Sequence, residues 1–577
     1  MSIAKQCQLP FTVAHDDRTP TAASHDQTGA RRVTSLLDPA PTLAESSHRG
    51  LGAYYTPSIA TKALAAWALR QRGDRVLEPS MGDGAFLAEL AQESERRGLD
   101  AEIWGVELAA DTFAATIDRG VVDPTHAIRS DFLAVDPFEV DAVVGNPPYV
   151  RLRHIPEDEA IRARCAAAEV LGETMDPSGS VWMPFVLHAT RFLTRGGRLA
   201  FVLPFDITYV RYAQPLWSFF GHNFGSLRVV RVHERMFPEI LQEVVLLFAD
   251  NFGGSTQQVT FEAFRTLEHL ERGAPELSAR LHVSDVVAGD RVFLEALLPG
   301  AARELVGQRL RDLTVPAREL VTFNIGYVCG DKSFFHPEDE AIVDYDLPDA
   351  CLRPALTSSR QLRGCGLRAS AVPSDRLDRL FLPSSDLGTL TDGEREYIRF
   401  GDRSGVSQRY KCRIRDPWYI TPGVKIPDVL VPVFTERPVM LLNDAGVVAS
   451  NSLLCGYLQS GTSNALVSSW YTSLTLLQLE LQVHALGGGV MVLVPREAGS
   501  IRMVDLQRSV GGDHLRRIHR HLAAGRLDDA FLAGDEPVLQ RNLGLTSNEI
   551  VAIQEAAREL AWWRTAGRSG STARTAG

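Results

Sequence analysis

Val143-Val144-Gly145-Asn146-Pro147-Pro148-Tyr149-Val150 is the stretch on which the fold turns. The apolar run from Val140 to Val144 reads as a short buried strand. It stops at a glycine, an amide, two prolines and an aromatic. The prolines fix φ and lack an N–H, so the loop after Asn146 is stiff and its carbonyls are left to accept hydrogen bonds. Pro147 also pushes Asn146 out of helical geometry. A rigid ledge results at a strand's carboxyl end, presenting the Asn146 amide oxygen, the Pro147 carbonyl and the Tyr149 ring. Two acceptors and a flat face suit a planar amino group. The competing reading is a tight turn plugged by an aromatic.

Working outward, strand and helix signals alternate on both sides of the ledge. Arg75-Val76-Leu77 leads into Glu78-Pro79-Ser80-Met81-Gly82-Asp83-Gly84-Ala85-Phe86 and a helix. Ile103–Val106 reads as a second strand ending at Glu107, and Ala127–Arg129 as a third, before Ser130-Asp131-Phe132. After the Val140 strand come a helix from Val181 to Leu193, a strand Leu199–Leu203, a helix around Ala213–Phe220, and strands Leu227–Val232 and Val244–Phe248, the last of the series. This alternation predicts an α/β domain, a parallel sheet with helices on both faces. Ligands on such sheets sit at the strands' carboxyl ends. Glu78, Glu107, Asp131 and Asn146 all fall there, so four polar side chains converge on one crevice.

Each group suits part of one ligand. The Gly82-Asp83-Gly84 turn lets backbone N–H groups approach a small carboxylate at a helix N-terminus. Glu107 suits a ribose diol. Asp131 suits an adenine amino group, with Phe132 against the ring. Taken singly, the glycine turn is an ordinary β–α turn and the carboxylates are helix caps. Together they describe a ligand with a carboxylate, a ribose and an adenine but no phosphates, a description that S-adenosyl-L-methionine fits.

Tyr54-Tyr55-Thr56-Pro57, the Glu78–Phe86 segment, Glu107, Ser130-Asp131-Phe132 and Asn146-Pro147-Pro148-Tyr149 follow one another in the order and spacing of a known family. Over about residues 50–250 the chain resembles the gamma-class, TaqI-like adenine-N6 DNA methyltransferases. The resemblance implies a class I S-adenosylmethionine-dependent (Rossmann-like) methyltransferase domain and a mixed α/β C-terminal target-recognition region. It implies cofactor contacts from Tyr55, Thr56, Glu78, Ser80, Gly82, Gly84, Glu107, Asp131, Phe132 and Pro148. Asn146, Pro147 and Tyr149 would be the catalytic ledge, and Phe237 of Met236-Phe237-Pro238 a ring that stacks on the target base. The activity implied is site-specific methylation of adenine N6 in duplex DNA by base flipping, as the modification half of a restriction-modification system. A cognate endonuclease would act separately, and the chain would be a monomer. The alternatives are a release-factor glutamine or ribosomal-RNA amino-group methyltransferase, and a non-catalytic DNA-binding specificity protein on the same fold.

Composition sets the remaining bounds. The chain has 577 residues, 45% hydrophobic and 23% charged, enough for several packed cores. No apolar run is long enough to span a membrane and no signal-peptide order opens the chain, so a soluble cytoplasmic protein is expected. Seven scattered cysteines lack metal-ligand spacing, and no metal site is expected. A net charge of −11 disfavours non-specific nucleic-acid binding, but the charge is uneven. Residues 101–150 hold nine acids and two bases, whereas 399–415 hold six bases and one acid, with Phe400 and Tyr410 among them. Strand alternation there would place Arg409, Lys411, Arg413 and Arg415 on one face, a phosphate-tracking ribbon joined by Arg399 and Arg403. An edge strand kept basic against aggregation is the plainer reading. The expected organisation is a mobile tail (1–45), the methyltransferase domain (46–255), a helical connector (256–320), the target-recognition region (321–566) and a loose tail (567–577).

Overall fold

The computed structural model describes residues 58–236, 243–289, 291–486, 489–506 and 510–565. The tails expected at 1–45 and 567–577 lie outside them. The chain divides into two compact units, 1–292 and 293–577.

The first unit is built on a nine-stranded sheet. Its strands in chain order are β1 (Arg75–Glu78), β2 (Glu102–Glu107), β3 (Ala127–Arg129), β4 (Val140–Gly145), β5 (Leu193–Pro204), β6 (Phe224–Val232), β7 (Val244–Phe252), β8 (Gln258–Phe264) and β9 (Leu277–His282). In space they run β3-β2-β1-β4-β5-β7-β6-β8-β9. The first five are mutually parallel, and β7 pairs antiparallel with both β5 and β6. The chain steps outward from β1 to β3, then returns to lay β4 on the other side of β1. Strand order therefore reverses between β1 and β4, the place where an open α/β sheet leaves a crevice at its carboxyl ends.

Helices α1 (Ser58–Ala68) and α2 (Ala85–Arg97) cover one face. Leu64, Ala65, Phe86 and Leu90 pack there against Val76, Ala142, Val144, Ala200 and Val202, the alternate residues of three strands. A further helix, α3 (Ala110–Asp118), follows β2, and α4 (Glu157–Leu171) and α5 (Trp182–Thr190) lie between β4 and β5. Every residue of α5 is buried, as a helix apolar on all sides must be.

Two expectations fail in this unit. Val244–Phe252 is not the last strand, and 256–320 is not a helical connector. Gln258-Val259-Thr260-Phe261-Glu262-Ala263-Phe264 alternates, with Val259, Phe261 and Ala263 buried, and pairs in parallel with β6. β9 alternates between half-buried and exposed residues as an antiparallel edge strand. A short helix, Leu267–Glu271, lies between β8 and β9, the helices after β9 begin at Val283, and the division between units falls at 292/293.

The second unit is mixed α/β, as expected. Val321–Ile325, Leu453–Leu458, Val429–Pro432 and Leu441–Leu442 form an antiparallel sheet, and two three-stranded sheets accompany it. Helices Ser463–Trp470, Ser473–Gln482, Gly512–Ala523 and Ser547–Arg564 contribute to its core or pack beside it. The last begins with a capping box in which Thr546 and Glu549 satisfy each other's backbone N–H. The basic ribbon expected at 409–415 is absent: Asp392–Arg403 is a helix and Tyr410–Arg413 a single helical turn. With the 3.6-residue period, those four bases do not share a face.

Candidate active site

Glu78 is the last residue of β1 and Glu107 the last of β2; Asp131 follows β3 by two residues, and Asn146 directly follows β4. The convergence read from the sequence is thus present, and the loops after β1 and β4 touch. The Ser80 hydroxyl donates to the Asn146 carbonyl at 3.2 Å, across the point where strand order reverses. Pro79 lies against Gly145, where an added Cβ would stand 3.3 Å from the proline Cδ.

The glycine turn takes its shape from positive φ at Gly82 (+51°) and Gly84 (+79°). A Cβ on Gly84 would come within 2.7 Å of Val121 Cγ2, so both conformation and space demand glycine. The two glycine N–H groups are not left for a ligand. Gly82 donates to Glu107 Oε2 at 3.0 Å, and Gly84 to the Met81 carbonyl at 2.7 Å. The expectation that they cradle a carboxylate is corrected: they shape the turn and anchor Glu107, whose Oε1 also accepts from Ala109 N at 2.8 Å.

Glu78 is 2% exposed, and its Oε2 has no hydrogen-bond partner. Burial, with the nearby charges of Asp83 and Glu107, raises its pKa well above the usual carboxylate range. A carboxyl in that condition awaits a cation or a proton. S-adenosyl-L-methionine, with a sulfonium and an ammonium, meets that need, so the residues present fit the cofactor. Asp83 adds a third carboxylate that the sequence reading passes over, although it stands inside the quoted segment.

Asp131 and Phe132 are more constrained than expected. Asp131 Oδ1 caps the following turn by accepting from Leu133 N at 3.0 Å, and Oδ2 pairs with Arg162 of α4 at 2.6 Å. Phe132 is 2% exposed, in a cluster with Phe185, His188 and Phe192. Arg162 could not be foreseen, since only the packing of α4 brings it there.

On the ledge Pro147 is buried, while Asn146, Pro148 and Tyr149 are half-buried. The Tyr149 hydroxyl lies 2.6 Å from Asn146 Oδ1 and 3.0 Å from the Val202 carbonyl of β5. That link, not visible in the sequence, ties the amide to the next strand. Tyr55, Thr56 and Phe237 lie outside the described residues.

The expected DNA-binding residues are exposed except Arg415, which is half-buried, but four of the six are engaged by other protein groups. Arg399 and Arg403 both pair with Glu396 (3.2 and 2.8 Å). Arg409 pairs with buried Asp331 at 2.5 Å, and Arg415 donates to the Cys329 and Val328 carbonyls at 2.7 and 2.5 Å. Lys411 and Arg413, also exposed, flank Tyr410 at 5.5 and 5.7 Å from its ring centre. Among the described residues no group of three or more His, Cys, Asp or Glu could hold a metal ion, and no helix is long and apolar enough to cross a membrane.

Two family models match the chain: N-6 DNA Methylase over residues 41–213, and the C-terminal domain of type II methyltransferase M.Eco57I over 291–539. The type II methyltransferase M.XamI of Xanthomonas campestris pv. amaranthicola is 23% identical over 79% of this chain and 85% of its own length. M.PaeR7I of Pseudomonas aeruginosa is 29% identical over 64% of this chain and 68% of its own. The chain spans only 38% and 36% of the two Haemophilus influenzae relatives M.HincII and M.HindII. A solved structure of the type IIL restriction-modification enzyme MmeI in complex with DNA aligns over 87% of this chain and 75% of its own, at 13% identity and a TM-score of 0.48. The N-6 DNA Methylase model thus falls on the sheet unit and the type II methyltransferase M.Eco57I C-terminal model on the second, and both units are similar to parts of adenine-N6 type II DNA methyltransferases.

Proposed function

We propose that the chain transfers a methyl group from S-adenosyl-L-methionine to the N6 amino group of adenine in duplex DNA, through a gamma-class, TaqI-like site. The observation that carries this reading is Asn146, whose side-chain amide is tied through Tyr149 to β5 and whose backbone carbonyl accepts from Ser80 in the loop between Glu78 and Asp83. When bound, the cofactor supplies a methyl group made electrophilic by its sulfonium. Glu78, Asp83 and Glu107 balance its positive charge, and Asp131 and Phe132 border its base.

An adenine amino nitrogen is a poor nucleophile because its lone pair is delocalised into the ring. The Asn146 side-chain oxygen and the Pro147 carbonyl accept its two N–H bonds, draw the nitrogen toward tetrahedral geometry and localise that lone pair. No strong base is needed for the attack. The N6–C bond would form as the sulfonium S–C bond breaks, and the methylated nitrogen, then cationic and strongly acidic, loses one proton to water. The ledge thus works by alignment and electrostatics. A paired adenine cannot reach two acceptors at a strand end, so the base leaves the helix. Unstacking costs a few kcal/mol, which the Tyr149 ring, with Phe237, offsets. The chain acts as the modification partner of a separate endonuclease.

The test is methyl transfer from radiolabelled cofactor to plasmid DNA, with ribosomal RNA and release factor as competing acceptors. Asn146→Ala is expected to lose at least a thousandfold in rate while cofactor affinity, measured by calorimetry, stays within about twofold. Full activity in that variant refutes the ledge, and label in RNA or protein alone refutes the substrate.

A further inference from the structure

The second unit carries an exposed aromatic turn that the reaction above does not use. Tyr410 is 62% exposed and Ile414 60%, both large apolar side chains on one turn in water. Lys411 and Arg413 flank the ring, and both are exposed. The turn is not loose. Arg409 pairs with buried Asp331, and the Arg415 guanidinium holds the Val328 and Cys329 carbonyls. A Cβ on Gly330 would come within 2.9 Å of Cys412 Sγ and 3.1 Å of Lys411 Cβ, so loop 328–331 and turn 410–415 are pressed together. Two of the bases that resembled a phosphate-tracking row are therefore struts.

We infer that this braced turn is a DNA-contacting edge of the second unit, with Tyr410 laid against a base or sugar and Lys411 and Arg413 on the flanking phosphates. The inference rests on the proposed action on DNA. Its ground is complementarity: a polyanion with flat apolar faces answers a flat exposed ring between two cations, in a chain whose net charge of −11 otherwise repels nucleic acid. An exposed ring also costs an unliganded protein solubility, which bracing from beneath does nothing to relieve.

Salt dependence separates the roles. On a mixed-sequence duplex, Lys411→Ala/Arg413→Ala is expected to lower the slope of log affinity against log salt by about two contacts' worth, roughly 1.8. Tyr410→Ala is expected to bind about tenfold more weakly with the slope unchanged, because stacking releases no counterions. Arg409→Ala is expected to lower the melting temperature, as the loss of a strut should. Cofactor affinity, read by calorimetry, stays at the wild-type value in the turn variants. A wild-type chain that methylates plasmid DNA, with turn variants matching it in affinity and slope, overturns the edge and leaves the proposed function standing. A wild-type chain that neither binds nor methylates duplex DNA overturns both.

Discussion

At the scale of the residue, Tyr149 has one hydroxyl proton and two oxygens within reach, Asn146 Oδ1 at 2.6 Å and the Val202 carbonyl at 3.0 Å. Donated to Asn146 Oδ1, the shorter of the two contacts, that proton fixes the plane of the Asn146 amide and leaves the amide oxygen a second lone pair for a substrate N–H. Tyr149→Phe keeps a ring for stacking and removes only this tether. We expect its single-turnover rate to fall about tenfold, on the order of 1.4 kcal/mol, with KM for DNA nearly unchanged. A ring that serves only as a stacking face predicts no change in rate. Glu78 makes the opposite kind of case. Its folded-state pKa lies above its unfolded value, so folding favours the protonated form. The stability this contributes is present below the unfolded carboxylate pKa and is lost as pH rises through the folded value. Cofactor affinity should run the other way, strengthening as Glu78 ionises. Glu78→Gln should therefore raise the melting temperature of the free protein at pH 8 and weaken cofactor binding by about 1.5–3 kcal/mol, with the pH dependence of binding flattened. Tighter binding in that variant excludes Glu78 as the cation's partner.

At the scale of the element, what could be read from the sequence was whatever a strand imposes on its own end. β4 is short and mostly apolar and β3 is a three-residue strand before Ser130-Asp131, so their positions and the polar groups at the carboxyl ends were legible. The carboxylates' actual partners were not, because Arg162 reaches Asp131 only through the packing of α4, and Glu107 anchors Gly82 only through the turn's positive φ. β8 was missed although Val259, Phe261 and Ala263 alternate correctly: seven residues between a glycine-rich turn and an acidic helix are too few to outweigh their neighbours. The basic run failed for a different reason. Alternating charge from Arg409 to Arg415 looks like one face of a strand, yet Arg409 and Arg415 each have a tertiary partner more than 70 residues away in Asp331 and Cys329. Tertiary pairing overrode the local pattern.

At the scale of the whole molecule, each unit has its own apolar core, and the second adds a buried ion pair. Arg564, near the end of the last helix, donates Nε and Nη2 to the two carboxylate oxygens of Glu480, both at 2.8 Å, with side chains 7% and 5% exposed. A third nitrogen donates to the Gly489 carbonyl. The pair locks the final helix onto Ser473–Gln482, whose Leu479 belongs to the unit's main core. Removing one partner strands a buried charge, whereas removing both leaves an apolar contact. Arg564→Met should lower the stability of the second unit by about 3 kcal/mol, moderated by Arg437, which stands 3.6 Å from Glu480. Glu480→Leu combined with Arg564→Met should recover most of that loss, because Arg437 keeps Asp528 at 2.8 Å. Calorimetry of the full chain reads this directly. The transition shifted by Arg564→Met and restored in the double variant belongs to the second unit, and a transition that moves equally in both variants shows that the pair's value lies in its charge rather than in its packing.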